Sequence, residues 1–355
     1  MTVSCPVRID IAGGWTDTPP YCMMEGGSVV NLAVLLNGRA PIEATVSAEP
    51  SSPHIHLTSL DQHVSELVET PDQLADYKCV GSPFSISKAA LSLVRDTQHL
   101  SLLGEGQGVR LRTYSAVPAG SGLGTSSILA ATVLAALSEH FSLGWDSNET
   151  GRQTLVLEQM LTTGGGWQDQ FGGLMGGVKL LQTEAGSEQT PVVTPLPSDV
   201  FTAPDYAPCH LLYYTGLTRT AKVILAEIVH RMHQREPRQM ELLAQMKQHA
   251  LDMADAIRRK DFEEMGRLVR LTWTQNQLLD SGTNPPAVCR MTELVDDLCL
   301  GYKLPGAGGG GFLYMVAKDA EAAARIRRLL NEHQPNPHAA FVEMSLALSG
   351  LRMNP

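Results

Sequence analysis

The sequence predicts an α+β fold of two domains, and three observations lead to that prediction. Strand-like segments come early in the chain, helix-like segments fill the middle, and a strand–helix–strand unit comes last. Elements segregated in this way are typical of α+β folds, whereas α/β folds alternate strand and helix regularly. The 355 residues are enough for two domains of ordinary size. A stretch rich in Ser, Pro and Thr at 184–199 predicts the boundary, which divides the chain into 1–190 and 191–355.

The predicted strands of the first domain follow mainly from alternation of apolar and polar residues, because successive side chains of a strand point to opposite faces. This alternation occurs at 6–13 and at 108–116. Two apolar segments, 28–36 and 41–46, predict further strands. The dipeptide Asn37-Gly38 between them predicts a β-hairpin turn.

The predicted helices follow from apolar residues at three- and four-residue steps. Segment 126–138 is rich in Ala and Leu and predicts a buried helix, and 221–279 is strongly helical in pattern. The chain closes with strand-like segments at 313–317 and 340–346 on either side of a predicted helix at 320–331. This order of elements completes the α+β pattern.

Composition and charge exclude several classes of function. Acidic residues outnumber basic ones by 37 to 27, which gives a net charge of −10 with neutral His. Because nucleic acids and anionic membranes both need a positive field, the chain is predicted to bind neither. The first residues do not resemble a signal peptide, and six scattered cysteines without a C-x-x-C pair predict reduced thiols. These features predict a cytoplasmic protein, and a first motif within ten residues of Met1 predicts a domain of a longer chain.

The strongest local signal is a glycine-rich segment between a predicted strand and a predicted helix. It has the sequence Pro-Ala-Gly-Ser-Gly-Leu-Gly-Thr-Ser-Ser at 118–127. Glycines allow successive N–H groups to point to one side, and a helix N-terminus adds partial positive charge, so the segment predicts a phosphate site. Its three hydroxyl residues, 125–127, are positioned to cap the helix or to bind Mg²⁺. It lacks the G-K-[ST] of a Walker A loop and Rossmann spacing, and a flexible turn with an N-cap is the alternative.

A single carboxylate lies between two groups of glycines in Gly-Gly-Gly-Trp-Gln-Asp-Gln-Phe-Gly-Gly at 164–173. Close backbone approach on both sides suits an acid that contacts a substrate hydroxyl, so Asp169 is a candidate catalytic residue. A simple turn residue is the alternative. Eleven residues earlier, Glu158 lies in an apolar helix-like segment. A carboxylate there is usually solvated, but it can also face a Mg²⁺ that a serine hydroxyl holds from the other side.

Two further segments carry candidate ligand-binding residues. Segment 8–20 ends a predicted strand in a turn that contains Trp15 and Asp17. Such a pair suits a sugar, because an indole packs on the apolar face of the ring and a carboxylate bonds its hydroxyls; core and turn roles are the alternatives. The glycines at 306–311 predict either a second loop that closes on the first or a tight entry to a strand.

Together these segments resemble the GHMP kinases, which include galactokinase, homoserine kinase, mevalonate kinase and phosphomevalonate kinase. That family has an N-terminal strand and turn, a P-x-x-x-G-L-G-S-S loop and a late glycine-rich loop. This chain has all three in that order, at 8–17, 118–127 and 304–311. Thr125 stands where serine is usual, while Ser126 is retained. The resemblance implies a GHMP-kinase-like fold with an S5-domain-2-like N-terminal domain and a ferredoxin-like C-terminal domain.

The resemblance also implies roles for the candidate residues, with ATP as phosphoryl donor and Mg²⁺ as cofactor. Asp169 is implied to orient and deprotonate a sugar hydroxyl, and Arg8 to flank it and stabilise the moving phosphoryl group. The implied Mg²⁺ ligands are Ser126 and Glu158. The ATP-binding loop comprises Pro118, Gly120, Ser121, Gly122, Leu123, Gly124, Thr125, Ser126 and Ser127, and the late loop contributes Gly306, Gly308, Gly309 and Gly310. The implied substrate-binding residues are Trp15, Asp17, Gly166 and Arg219.

Within the family, four segments of this sequence resemble those of the branch that phosphorylates L-fucose at its anomeric hydroxyl. The segments are A-G-G-W-T-D-T-P-P, G-G-S-V-V-N-L-A-V, T-G-G-G-W-Q-D-Q-F-G-G and Y-T-G-L-T-R-T-A-K. Gly14 and Trp15 stand where galactokinases carry a Glu-His pair, whose glutamate reaches the terminal hydroxyl of the sugar. The absence of that glutamate suits a 6-deoxy sugar. Heptose 7-phosphate kinases share these segments and are the closest alternative, although the first motif lacks the extra Arg/Lys cluster that a phosphorylated substrate needs. A non-catalytic protein that binds sugar and ATP is the third hypothesis.

Overall fold

The structure, a computed structural model, has the α+β organisation that the sequence predicts. Most strands of the first sheets lie before residue 120, helices predominate at 125–174 and 221–295, and a strand–helix–strand unit comes late. The described residues are 1–79, 81–99, 101–103, 107–118, 120–162, 164–218 and 221–354.

Strands form near the positions predicted at 6–13, 28–36, 41–46, 108–116, 313–317 and 340–346, because alternating or continuously apolar segments bury one or both faces of a sheet. Other strands were not predicted, and all strands of the described residues follow here in chain order. They are β1 (Thr2–Cys5), β2 (Val7–Ala12), β3 (Ser28–Leu36), β4 (Ile42–Glu49), β5 (Ile55–Ser59), β6 (Val64–Val68), β7 (Gly108–Ser115), β8 (Val178–Gln182), β9 (Val192–Leu196), β10 (His210–Tyr214), β11 (Cys299–Lys303), β12 (Phe312–Ala317), β13 (Ala340–Val342), β14 (Met344–Leu346) and β15 (Arg352–Asn354).

The predicted helical stretch 221–279 is divided into three helices by Pro237, which lacks an N–H donor, and by the N-cap Asp261. The helices are α1 (Tyr21–Glu25), α2 (Ser85–Gln98), α3 (Thr125–His140), α4 (Ser147–Met160), α5 (Gln168–Leu174), α6 (Asp199–Thr202), α7 (Ala221–His233), α8 (Pro237–Arg258), α9 (Phe262–Leu279), α10 (Pro286–Val295) and α11 (Ala320–Glu332). Short 3₁₀-helical segments occur at Pro71–Lys78, Ala207–Cys209, Ser281–Thr283 and Asp296–Leu298.

The described residues form three sheets. A six-stranded sheet has the order β15-β1-β4-β7-β5-β6, and a second sheet contains β14-β3-β8-β9 with β2 also paired to β3. The third sheet has the order β11-β12-β10-β13, and the helices between its strands give the sequence β-α-β-β-α-β. This order and connectivity are those of a ferredoxin-like arrangement, as the family resemblance implies for the C-terminal part.

The predicted hairpin at Asn37-Gly38 is wrong in one respect. Leu36 and Arg39 exchange backbone hydrogen bonds of 2.9 and 3.0 Å, so a tight turn forms there. However, β3 joins the second sheet and β4 joins the six-stranded sheet, so the two strands do not pair. Because β3 is buried almost throughout, it takes β2, β8 and β14 as partners instead.

The two predicted domains share strands. Strand β9 pairs with β8, while β14 and β15 pair with β3 and β1 in the sheets built mainly by the first 190 residues. Because these sheets combine strands from both sides of residue 190, their pairing does not define a boundary there, and the boundary remains a prediction. A hydroxyl of α9 also joins the two parts, since Thr272 Oγ1 donates to the Ile11 carbonyl oxygen at 2.8 Å.

The buried core is continuous across β2, β3, β10, β12, α8 and α9. It fixes the end of β2 against the C-terminal sheet, and the candidate site lies there. All six cysteines are free and four of them are buried, in agreement with reduced thiols. Among the described residues, no helix has the length and apolar character needed to cross a membrane.

Candidate active site

The centre of the site is an ion pair between β2 and the start of α5. Arg8 Nε donates to Asp169 Oδ1 at 2.8 Å, and Arg8 Nη2 lies 2.6 Å from the same oxygen. The arginine side chain is buried, whereas the Asp169 side chain is 27% exposed. The geometry therefore fixes one oxygen of a carboxylate whose side chain stays partly exposed.

The first glycine-rich loop lies directly on this ion pair. The side-chain Nη1 of Arg8 donates to the Gly122 carbonyl oxygen at 2.6 Å, and the backbone N–H of Arg8 donates to the Leu123 carbonyl oxygen at 3.2 Å. Gly124, at the N-cap of α3, has φ +73°. A Cβ there would lie 3.2 Å from Asp169 Cγ and 3.3 Å from Arg8 Cγ, so both its conformation and the close approach favour glycine.

The late glycine-rich loop lies against the first one. The Phe312 N–H donates to the Ser121 carbonyl oxygen at 3.0 Å, and a Cβ on Gly306 would lie 3.1 Å from the Gly122 carbonyl oxygen. The sequence left two interpretations of these glycines open, a second loop that closes on the first loop and a tight entry to a strand. The arrangement agrees with the second loop that closes on the first. A Cβ on Gly311 would likewise lie 2.1 Å from the Ser121 carbonyl oxygen, whereas Gly308 lies against Thr283 and Gly310 against Leu217.

Asp17 is a buried carboxylate at the floor of the site. Its Oδ2 accepts a hydrogen bond from the Gln168 N–H at 3.1 Å, and its Oδ1 accepts one from Gln168 Nε2 at 2.9 Å. A Cβ on Gly166 would lie 2.0 Å from Asp17 Oδ2, so only glycine fits there. Burial, with the nearby Asp169 charge adding to it, raises the pKa of Asp17 to about 7.

Trp15 lies where both interpretations that the sequence leaves open, a core residue and a sugar contact, agree with its surroundings. It is 6% exposed and belongs to an apolar cluster with Tyr21, Ile224 and Met246, as a core residue does. It also lines the cleft described below. Its φ of +76° is uncommon for a bulky side chain, so the surrounding structure must hold the backbone in this conformation.

Glu158, near the C-terminus of α4, is buried and contacts the first turn of α3. Its Oε1 accepts a hydrogen bond from the hydroxyl of Ser127, and not from Ser126, which is exposed and lines the cleft. Burial raises the pKa of Glu158 to about 8; the Ser127 hydrogen bond lowers it, while the charges of Asp169 and Asp17 raise it further.

Arg8, Asp169, Asp17, Trp15 and parts of the two glycine-rich loops surround one cleft with a volume of about 220 Å³. Its described lining residues are Arg8, Gly14, Trp15, Asp17, Thr18, Gly120, Gly122, Gly124, Thr125, Ser126, Gly165, Gly166, Gln168, Asp169, Leu225, Gly306 and Ala307. Predicted residues that do not line it are Pro118, Ser121, Leu123, Ser127, Glu158, Gly308, Gly309 and Gly310. The predicted Arg219 lies outside the described residues.

Several residues of the site were not predicted from the sequence, and three of them contact its charged side chains. Asp10 lies two residues after Arg8 on β2, so both side chains point to the same face, and this spacing was an available signal. Lys303, the last residue of the apolar strand β11, contacts Asp10. Gln168 neighbours Asp169 and holds Asp17, but nothing in the sequence alone indicates that contact.

The raised pKa of Asp17 predicts a specific pH dependence of stability. Between about pH 4 and 7 the folded chain keeps a proton on Asp17 that the unfolded chain has lost, so this group's contribution to the free energy of unfolding falls as pH rises. At about 1.4 kcal/mol per pKa unit, the full loss is about 4 kcal/mol. Asp17→Asn removes that slope, and Gln168 can rotate its amide to donate to and accept from the new side chain. Urea unfolding at pH 5, 7 and 8.5 should show the free energy of unfolding of the variant rising relative to that of the wild type as pH rises. Parallel curves of unfolding free energy against pH would contradict the raised pKa of Asp17.

Comparison with known proteins defines the class of the molecule. The family model described as the GHMP kinases N terminal domain matches residues 85–177, and the model described as GHMP kinases C terminal matches 253–336. The chain therefore belongs to the GHMP kinase family. Within it, the chain is 57% identical to the L-fucokinase/L-fucose-1-P guanylyltransferase of Bacteroides fragilis, over 98% of its own length and 38% of that protein.

Two further comparisons concern heptose kinases. The D-glycero-alpha-D-manno-heptose 7-phosphate kinase of Campylobacter jejuni is 26% identical, over 92% of each chain. The crystal structure of a D-glycero-D-manno-heptose 1-phosphate kinase from Bacteroides thetaiotaomicron superposes with a TM-score of 0.76 at 22% identity, and covers 99% of this chain and 97% of that one. The structural likeness shows a common fold.

Proposed function

We propose that this chain transfers the γ-phosphoryl group of ATP to the anomeric hydroxyl of L-fucose, which gives L-fucose 1-phosphate and ADP. The observation that carries the proposal is the Arg8–Asp169 ion pair, which lies in one cleft with the two glycine-rich loops. A positioned carboxylate, a fixed cation and a phosphate cradle are the protein groups that phosphoryl transfer to a hydroxyl uses. The relative at 57% identity supports L-fucose as the acceptor. Because the chain covers 38% of that relative, the proposal takes only the kinase reaction from its name.

The first glycine-rich loop is proposed to hold the phosphates of ATP. Its three glycines at 120, 122 and 124 line the cleft together with Thr125 and Ser126, which begin α3. The first N–H groups of a helix have no partner within it and carry partial positive charge. The phosphates are therefore expected at the start of α3, on the side that faces Arg8 and Asp169.

Asp169 is proposed to accept the proton of the sugar hydroxyl. As the oxygen on C1 forms its bond to the γ-phosphorus, the proton of that hydroxyl moves to the Asp169 carboxylate, and the bond from phosphorus to the β–γ bridging oxygen breaks to release ADP. Two N–H groups of Arg8 hold the carboxylate in orientation. The same guanidinium is positioned to stabilise the negative charge on the transferred group.

Glu158 and Ser126 are proposed to hold Mg²⁺. The donor set fits that ion, because Mg²⁺ prefers carboxylate and hydroxyl oxygens and usually takes few protein ligands besides phosphates. Burial raises the pKa of Glu158 to about 8, so the carboxyl is expected to release a proton when it binds the cation. Ser127 holds this carboxylate in place through its hydroxyl, and Ser126 faces the cleft. When bound, Mg²⁺ supplies neutralisation of charge on the β- and γ-phosphates.

The sugar is proposed to contact Trp15, Asp17 and Gly166, with Arg219 near it. Among the described residues that line the cleft, Arg8 is the one basic side chain, and it is already paired with Asp169. A heptose phosphate would bring a second dianionic group into the cleft and require further cations there. The described part of the cleft therefore favours an unphosphorylated sugar.

The proposal predicts selective turnover in an assay of ADP release with Mg-ATP. L-fucose and D-arabinose share ring stereochemistry and are expected to react, while D-galactose, mevalonate and a heptose 7-phosphate are expected to give only the rate without acceptor. Activity confined to the heptose phosphate would keep the catalytic residues and overturn the substrate. ATP binding without turnover on any acceptor would contradict the kinase reaction itself.

A further inference from the structure

A second buried ion pair lies directly behind the first. The ammonium of Lys303 contacts Asp10 Oδ2, and both side chains are almost completely buried, at 0% and 1% exposure. The other carboxylate oxygen, Asp10 Oδ1, accepts hydrogen bonds from the Gly306 N–H at 2.7 Å and from Arg8 Nη1 at 3.3 Å. Asp10 thus joins β2, the end of β11 and the late glycine-rich loop at one point.

Arg8 is shared between the two carboxylates. Its Nη1 contacts Asp10 and the Gly122 carbonyl oxygen, while its Nε and Nη2 contact Asp169. Four charges, two positive and two negative, therefore balance within the cluster. Lys303 is the cation that balances Asp10, which leaves the Arg8 charge for Asp169 and the cleft.

Removing the Lys303 charge would set the two carboxylates in competition for one guanidinium. Asp10 is buried, whereas Asp169 is 27% exposed. An ion pair is stronger where water is excluded, and an uncompensated buried carboxylate is costly. Arg8 is therefore expected to rotate toward Asp10 and away from Asp169.

We propose that Lys303 is a positioning residue, which neutralises Asp10 so that Arg8 stays directed at Asp169 and the late loop stays attached through Gly306. Because this role concerns phosphoryl transfer, the inference rests on the proposed function. Lys303 acts through Asp10 and Arg8, since it does not line the cleft.

The test compares Lys303→Gln with the double variant Asp10→Asn/Lys303→Gln. Gln keeps a hydrogen-bond donor at position 303, so the single variant removes mainly the charge, and the double variant removes both charges while amide groups preserve the hydrogen bond. Lys303→Gln is expected to lower kcat by about 100-fold with the KM for ATP little changed, because a misplaced catalytic group costs about that much. The double variant is expected to recover kcat to within about fivefold of the wild type. A merely structural role would make the double variant slower still.

A matched control removes another buried lysine. Lys179, on β8, is 1% exposed, and its ammonium lies 3.4 Å from the Gly177 carbonyl oxygen, away from the cleft. Lys179→Gln is expected to keep the wild-type kcat even if its melting temperature falls. A loss of kcat equal to that of Lys303→Gln would show a general effect of buried lysines and overturn the inference.

Crystal structures of the two variants test the inference apart from the sugar. The Arg8–Asp169 contact is expected to be lost in Lys303→Gln and restored in the double variant. An intact contact in the single variant overturns the positioning role, whichever acceptor the enzyme uses. If Lys303→Gln does not fold, a double variant that folds but stays about 100-fold slow also overturns it. Failure of the proposed function shows instead as wild-type protein without turnover on L-fucose.

Discussion

Asp169→Asn is expected to lower kcat with L-fucose by roughly 10²–10⁴-fold, because the amide cannot accept the proton of the sugar hydroxyl. The substitution is nearly isosteric, and Asn Oδ1 can still accept from Arg8 Nε and Nη2. The affinity for ATP is therefore expected to change little, so the loss falls on kcat. Initial rates of ADP release and calorimetric titration with a non-hydrolysable ATP analogue measure the two quantities.

A matched control is available for this substitution. Asp296 also pairs with an arginine, Arg270, but outside the cleft, and Asp296→Asn is expected to keep the wild-type kcat. Near-normal turnover of Asp169→Asn would remove Asp169 from the role of base. An equal loss of kcat in both variants would mean that general destabilisation explains the effect.

Arg8→Met is expected to cost about 10³–10⁵-fold in kcat, the range that a cation on the transferred phosphoryl group supplies in related chemistry. The variant should fold, because Lys303 still neutralises the buried Asp10 and Asp169 is partly exposed. Arg8→Lys is expected to fall between the wild type and Arg8→Met. Its single ammonium keeps the charge but cannot contact Asp169, Asp10 and the Gly122 carbonyl oxygen together.

Kinetics and thermal unfolding on the same samples separate catalysis from stability in the Arg8 series. Arg110 serves as the control, since it pairs with Glu49 outside the cleft, and Arg110→Met is expected to keep kcat. Equal rates for Arg8→Met and Arg8→Lys would contradict an electrostatic role for the guanidinium. A kcat of Arg8→Met within tenfold of the wild type would contradict its place in the mechanism.

Local patterns in the sequence predicted the two glycine-rich loops and some of the elements, but missed strands such as β5, β6 and β8. Alternation predicted β2 and β7, and glycine spacing predicted the loop at the N-terminus of α3. Pairing between strands was less accessible, because the Asn37-Gly38 turn has the same local chemistry whether the next strand pairs with β3 or enters another sheet. The ferredoxin-like order followed from the family resemblance rather than from the residues themselves.

Several contacts in the site join residues that are far apart in the sequence, and local patterns could not predict them. Asp10 and Lys303 are 293 positions apart, so no local pattern links them. The hydrogen bond between Ser127 and Glu158 was not predicted either, because it depends on the rotation of α3 about its axis, which two adjacent serines do not reveal. By contrast, Arg8 and Asp169 were paired by family resemblance, and the structure brings them to 2.6 Å.

The most direct test of the account is the product formed from L-fucose and Mg-ATP by the wild-type chain. Phosphorus NMR of the completed reaction should show ADP and L-fucose 1-phosphate in equal amounts, with the phosphoryl group on the anomeric oxygen, and no such product with Asp169→Asn. A phosphoryl group on any other oxygen, or ATP hydrolysis to inorganic phosphate with unchanged fucose, would contradict the proposed orientation of the sugar hydroxyl toward Asp169.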